Sequence, residues 1–140
     1  MANEIALTAA QIQPIFPAKA EIYTFIAAAA LTQGQAVYLT TSGTVGVADA
    51  NGSSTQQFRG IALEAVAAGQ AVSILKRGHC AGFTVSGMAY DAPAYLSDTA
   101  GSLSTAAGTM TVNCGRVVAL SDKDLTKVLY VDANWNRIWA

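Results

Sequence analysis

Charge is scarce in this chain: 12% of its 140 residues are Asp, Glu, Lys or Arg, with 9 acidic and 8 basic side chains and a formal net charge of −1. Soluble domains commonly carry about twice that charged fraction, so part of the surface is expected to be covered by something other than water. Lys76-Arg77 is the only adjacent basic pair, which speaks against a nucleic-acid partner. No apolar run approaches the roughly 20 residues of a membrane-spanning helix, and Met1-Ala2-Asn3-Glu4 lacks the basic start of a secretory signal; no membrane partner is expected. Histidine occurs once, so Ser/His/Asp and Cys/His schemes have His79 as their single possible base. On a strand its neighbour Cys80 would point to the opposite face. The two cysteines, Cys80 and Cys114, form no CxxC motif; two free buried thiols in a reducing compartment are expected. With His79 they match no zinc-ligand spacing, and no GxGxxG or GxxxxGK[ST] pattern opens a phosphate cradle. The sequence therefore predicts no catalytic residues, no cofactor-binding residues, no metal ligands and no enzymatic activity.

What is present is apolar and small. Hydrophobic residues make up 52%, with 28 alanines, 13 threonines and 12 glycines, too apolar for disorder and long enough for one domain with a real core. Helical periodicity is nearly missing. Period-2 pairs recur instead: Val37/Leu39, Val45/Val47, Ile61/Leu63, Val72/Ile74, Phe83/Val85, Met110/Val112 and Leu129/Val131. Turn clusters separate them, among them Thr41-Ser42-Gly43, Asp49-Ala50-Asn51-Gly52-Ser53-Ser54 and Ser97-Asp98-Thr99-Ala100-Gly101. This predicts an all-β fold, a compact β-sandwich or jelly-roll-like barrel. Ile22 to Ala30 is read as a strand ending in small side chains, against which something packs closely. Glu64 to Ala68 is read as one helical turn or a loop, and His79 as a turn residue after Lys76-Arg77-Gly78.

An internal repeat runs through the chain. Tyr38-Leu39 recurs as Tyr95-Leu96, 57 residues on, and the same offset carries Arg59 onto Arg116, Ala62-Leu63 onto Ala119-Leu120, and Val72 and Ile74 onto Leu129 and Val131. Two related units of about four strands, roughly 30–88 and 88–132, are expected to pack face to face within a single β domain, 22–140. Residues 1–21 stand apart as an extended N-terminal arm, because Pro14 and Pro17 remove ladder donors around Ile15-Phe16. Pro14, Ile15, Phe16 and Pro17 are the predicted docking residues of that arm. Tyr23 and Phe25 near one end, and Trp135 and Trp139 near the other, are interface candidates. The even spacing of the two tryptophans would place them on one face of a terminal strand, and a carbohydrate-binding or phage fibre module using that face is the alternative reading.

The ordered set of a small-residue strand, Gly34-Gln35-Ala36-Val37-Tyr38-Leu39, Arg59-Gly60-Ile61-Ala62-Leu63-Glu64-Ala65, Ala67-Ala68-Gly69-Gln70-Ala71-Val72, Gly78 with Gly82-Phe83, Tyr95-Leu96, and Gly115-Arg116-Val117-Val118-Ala119-Leu120 resembles the capsid decoration, or cement, proteins of tailed bacteriophages. The resemblance covers about residues 24–132. It departs at Asp91-Ala92-Pro93-Ala94, where Ala92 stands in place of a glycine–acid turn, and in the arm and the Trp-bearing tail. It implies a structural virion protein on the outer surface of the capsid, made in the bacterial host cytoplasm. Its partners would be the major capsid protein and further copies of itself, as a homodimer or homotrimer, with no reaction and no cofactor.

Overall fold

The computed structural model describes residues 4–51 and 54–139; Gly52 and Ser53, from the centre of one expected turn, lie outside the described residues. The fold is all-β. Ten strands run in chain order: β1 Gln13–Pro14, β2 Glu21–Ile26, β3 Ala36–Leu39, β4 Val45–Val47, β5 Phe58–Ala62, β6 Ala71–Ala81, β7 Pro93–Leu96, β8 Leu103–Ser104, β9 Asn113–Ala119 and β10 Lys127–Asp132. Two short 3-10 turns, Ala9–Gln11 and Pro17–Lys19, are the only helical segments among the described residues.

The strands form one antiparallel sheet in the order β4-β3-β5-β6-β10-β9-β7-β8, curled into a half-barrel. The long strand β6 belongs to both wings. Its Leu75 pairs with Ile61 of β5 and Ile22 of β2; its Arg77 pairs with Asp132 of β10 and Glu21 of β2; its Cys80 pairs with Leu129 of β10 and Pro14 of β1. β5 and β10 thus occupy successive stretches of one edge of β6, while β2 and β1 occupy the other. A strand that serves two sheets in succession turns the corner between them. The main core fills the bend, drawing Phe58, Ile61 and Leu75 together with Leu96, Leu103, Val117 and Leu129. A smaller core of Ala27, Leu31, Val37, Val45, Ala62, Val72 and Ile74 fills the first wing beneath β2. The two units expected to stack as separate sheets are instead joined edge to edge through β6 and β10.

The strand order reads the same from either end, with β3, β4, β5 and β6 taking the places that β7, β8, β9 and β10 take on the other side. Both wings carry a register shift at the same point, between Val37 and Tyr38 and, 57 residues on, between Ala94 and Tyr95. Beyond it the spacing changes. Ile61 pairs with Leu75 as Arg116 pairs with Tyr130, an offset of 55. The difference of two residues leaves the in–out alternation untouched, because side chains alternate with a period of two. Gly60 and Gly115, also 55 apart, sit where β5 and β9 approach β6 and β10. A Cβ on Gly60 would strike Ile74 and the Leu75 carbonyl, and one on Gly115 would strike the Tyr130 carbonyl.

Three local expectations change. The strand at β2 stops at Ile26: Ala27 is buried beside Val45, while Ala28 to Ala30 form an exposed bend. Phe83, Val85 and Val112 are buried, yet they lie in irregular segments outside the named strands. His79 is no turn residue but sits within β6. Residues 64–68 take the loop of their two expected forms, with Val66 bridging to Leu31.

The largest correction concerns the N-terminal segment. Residues 4–20 do not project as an arm. Ile5 and Ile12 are buried in the main core, Ile5 N donates to the Leu103 carbonyl, and Thr8 N donates to Gly82. Pro14 pairs with Cys80 in the ladder, and Ile15 N donates to the His79 carbonyl. Proline is tolerated there because β1 is an edge strand. Removing residues 1–20 should therefore unfold or strongly destabilise the domain rather than leave it intact, and Ile12→Ala should cost about 2–4 kcal/mol. Denaturant titration of the two variants checks both. In the same assay Gly60→Ala and Gly115→Ala should each cost roughly 1–3 kcal/mol through overpacking.

Candidate functional site

β2 carries its aromatic residues at alternate positions, so Tyr23 and Phe25 share one face. Trp135 closes over them from the chain end: its ring lies 4.9 Å from Tyr23 and 6.0 Å from Phe25, centroid to centroid. The indole is anchored by Nε1, which donates to the Arg59 carbonyl at 2.8 Å. Lys76 Nζ stands 4.6 Å from the Trp135 ring centre, a cation–π contact, and pairs with Glu21 at 3.3 Å. Glu21 also meets Arg77 at 3.0 Å, and Arg77 meets Asp132 at 2.9 Å. This surface network stitches β2, β6 and β10 together, and its exposure limits what it contributes to stability.

Beside this cluster opens a cavity of about 220 Å³ lined by Phe25, Leu39, Val45, Arg59, Ile74 and Trp135. Its walls are apolar apart from Arg59. That guanidinium donates through one Nη to the Phe58 and Arg137 carbonyls and has no carboxylate partner among the described residues; burial pulls its pKa down. Tyr23 and Leu39 remain 43% and 44% exposed at the rim, too much apolar area for residues whose only role is the core. A shallower depression of about 360 Å³ lies at the other wing, between Tyr90, Asp91, Val117, Val118, Ala119 and Leu125.

Of the interface candidates read from sequence, the structure brings Tyr23, Phe25 and Trp135 together and leaves Trp139 apart. The expected terminal strand does not form. Residues 135–136 are a turn closed by Arg137 N donating to Asn134. Trp139 packs under Arg137, 4.4 Å from ring centre to guanidinium carbon, and is tied down by Gln57 through its backbone N–H and carbonyl. The two tryptophans therefore make separate contacts and share no flat platform. The docking candidates lie on their own sheet as well: the Phe16 ring meets His79 edge-on at 5.1 Å and stays 41% exposed, while Pro17 opens a 3-10 turn. Leu39, Arg59 and Lys76 were missed. Only the fold brings β3, β5 and β6 to one mouth, and no local pattern in the sequence marks these three.

Burial pushes the Cys80 thiol up to about 12, and burial also raises Cys114 well above the usual thiol range; both are free and neither forms a thiolate near neutrality. Among the described residues no three His, Cys, Asp or Glu side chains group closely enough to hold a metal ion, and no helix is long and apolar enough to cross a membrane. No family model, no curated protein and no solved structure matches the chain.

His79 lies between Phe16 and Tyr130, 5.1 and 5.2 Å away. Burial, and then the positive charge of Lys19, lower its pKa. The unfolded chain thus takes up the proton at a higher pH than the folded one. Stability from this group is present above the ordinary histidine value of about 6.5 and falls as the pH drops through it. Glu21, lowered by Lys76, and Asp122, lowered by the Thr126 N–H, titrate in a more acidic range. His79→Phe keeps the ring contacts and removes the proton, so Tm should decline less between about pH 7.5 and about pH 5.5 than in the parent chain. Thermal scans across that range check it.

Proposed function

We propose that the protein is a structural virion component that binds the outside of a tailed-phage capsid and cements neighbouring major capsid protein subunits, without catalysing a reaction. The observation that supports this most is the exposed apolar rim of Tyr23 and Leu39 around Trp135, on a chain with so few charges. Aromatic anchors beside a pocket, ringed by polar groups, are the anatomy of a protein-binding surface. The ordered resemblance to decoration proteins supplies the partner. Docking then falls to the β2–Trp135 face, since the N-terminal segment is occupied in the protein's own fold.

Cementing of this kind needs no strong single contact. A protein that binds only the assembled lattice stabilises it by mass action, and copies joined to one another gain avidity on a repeated surface. The surface is suited to lasting contact because it is rigid: β2 is held along β6, and Trp135 is held by its indole hydrogen bond.

Co-sedimentation with expanded empty heads from the phage that encodes the chain tests the reading. The parent protein should pellet with the heads. Trp135→Ala should weaken binding by about 30-fold, the loss expected of an aromatic anchor worth about 2 kcal/mol. Failure to pellet, together with retardation in a glycan-containing gel, would overturn the proposal in favour of a carbohydrate-binding module.

A further inference from the structure

Arg59 is the one charged wall of the cavity beside Trp135, and this face leaves it unmatched. Lys76 and Arg77 are balanced by Glu21 and Asp132. Arg59 meets only carbonyls: its Nη1 donates to Phe58 at 3.1 Å and to Arg137 at 3.2 Å. A guanidinium carries five N–H donors in a fixed plane. The Nε–H and the adjacent N–H of Nη2 have no partner among the described residues. That edge is the fork that grips a carboxylate through two parallel hydrogen bonds. Burial lowers the Arg59 pKa, as expected of a cation drawn out of water with no counter-charge. Arg137, stacked on the Trp139 ring, also lacks a carboxylate partner among the described residues.

The rest of the site is shaped for one apolar side chain. Pockets for whole small ligands run from about 300 to about 1,000 Å³; this one holds about 220 Å³. Phe25, Leu39, Val45 and Ile74 offer no polar side-chain group, and the Trp135 indole N–H is spent on the Arg59 carbonyl. A sugar would find few partners for its hydroxyls there. Arg59 and the tail also fix each other: the Arg59 carbonyl holds the indole, and the Arg59 guanidinium holds the Arg137 carbonyl two residues further on. Cation and aromatic wall are set in place before anything binds, which lowers the ordering cost of association.

We propose that this pocket receives an aliphatic side chain of the major capsid protein that has an Asp or Glu beside it in sequence, the side chain filling the cavity and the carboxylate closing on the Nε–Nη2 edge of Arg59. The acids on and beside the neighbouring strands are already engaged: Glu21 and Asp132 in ion pairs, and Glu64 with the Ser73 N–H. The exposed rim of Tyr23 and Leu39 then lies against the capsid protein around the anchor and excludes water from it. The identity of the partner rests on the capsid reading; the chemistry of the occupant rests on the pocket.

Two blocked dipeptides of nearly equal shape, acetyl-Asp-Leu-amide and acetyl-Asn-Leu-amide, separate charge from fit. Titrated into the full chain at low salt, both should shift the Trp135 indole N–H resonance and leave that of Trp139 in place. The acidic peptide should bind about tenfold more tightly. Arg59→Met keeps an apolar stem and removes the fork, and should bring the ratio to about one. Leu39→Asp, on the exposed rim outside both cores, supplies a carboxylate of the chain's own and should also abolish the preference. On expanded heads Arg59→Met should weaken co-sedimentation about tenfold, and added salt should weaken the parent more than this variant. A parent with no preference between the peptides, a preference that survives both substitutions, or head binding that Arg59→Met leaves unchanged would overturn the inference. A parent that prefers the acidic peptide yet pellets with no heads would sink the capsid reading and leave the chemistry of the pocket standing.

Discussion

β6 is the strand on which everything else in this molecule leans. Four other strands take hydrogen bonds from its two edges, and the two wings anchored to it also bond each other directly, Ala36 N to the Gly101 carbonyl and Ala50 N to the Ser97 carbonyl. A strand asked to do this must bend without breaking its ladder. The chain supplies the means locally: a register shift opposite Glu21 and Ile22, and Gly78 where a side chain would collide with Ala20. Glycines answer it on either side, Gly60 in β5 against β6 and Gly115 in β9 against β10, where a Cβ would strike the neighbouring strand. The half-barrel is the shape that results when two similar wings are hung from successive stretches of one edge and their apolar faces close on each other.

The outer surface follows from the same arrangement. Because β5 and β10 use one edge of β6, the other is left for segments from the N-terminus. β1 and the turns around it bury Ile5 and Ile12 and become part of the core, whereas β2 lies over the first wing and meets Val45 just past its end, at Ala27 and Ala28. Phe25 dips toward Ile74 at the cavity wall, Tyr23 stays at the rim, and Trp135 arrives from far along the chain to complete the cluster. The apolar rim is therefore a by-product of how β6 is shared, and a low-charge chain has few polar side chains with which to hide it.

Much of the strand content was legible because period-two burial is a local property. Val37, Val45, Ile61, Val72 and Leu129 are buried on strands, as their alternation implies. The offset of 57 was visible although the wings drift to 55, since an even slip preserves which residues face inward. What stayed hidden was set by distant partners. Ile5 and Ile12 look like an arm until Leu103 and Gly82 are placed beside them. Trp135 and Trp139 have strand spacing, but the backbone of Asn134 to Arg137 turns to bring the indole to Arg59. Arg59 itself carries no local mark of lying at a cavity mouth.

The tail that carries those tryptophans has a bearing on how the protein is made. Trp135 is held by Arg59, and Trp139 by Gln56 and Gln57, groups roughly eighty residues earlier in the chain. A ribosome emits the chain from its N-terminus, so Gln56, Gln57 and Arg59 emerge well before the tryptophans that they hold. Pairings between such distant segments are slow to form. Until Trp135 and Trp139 dock, the Arg59 carbonyl and the Gln56 and Gln57 side chains lack these partners, so this docking is a late step of folding that closes over a first wing whose own small core is already in hand.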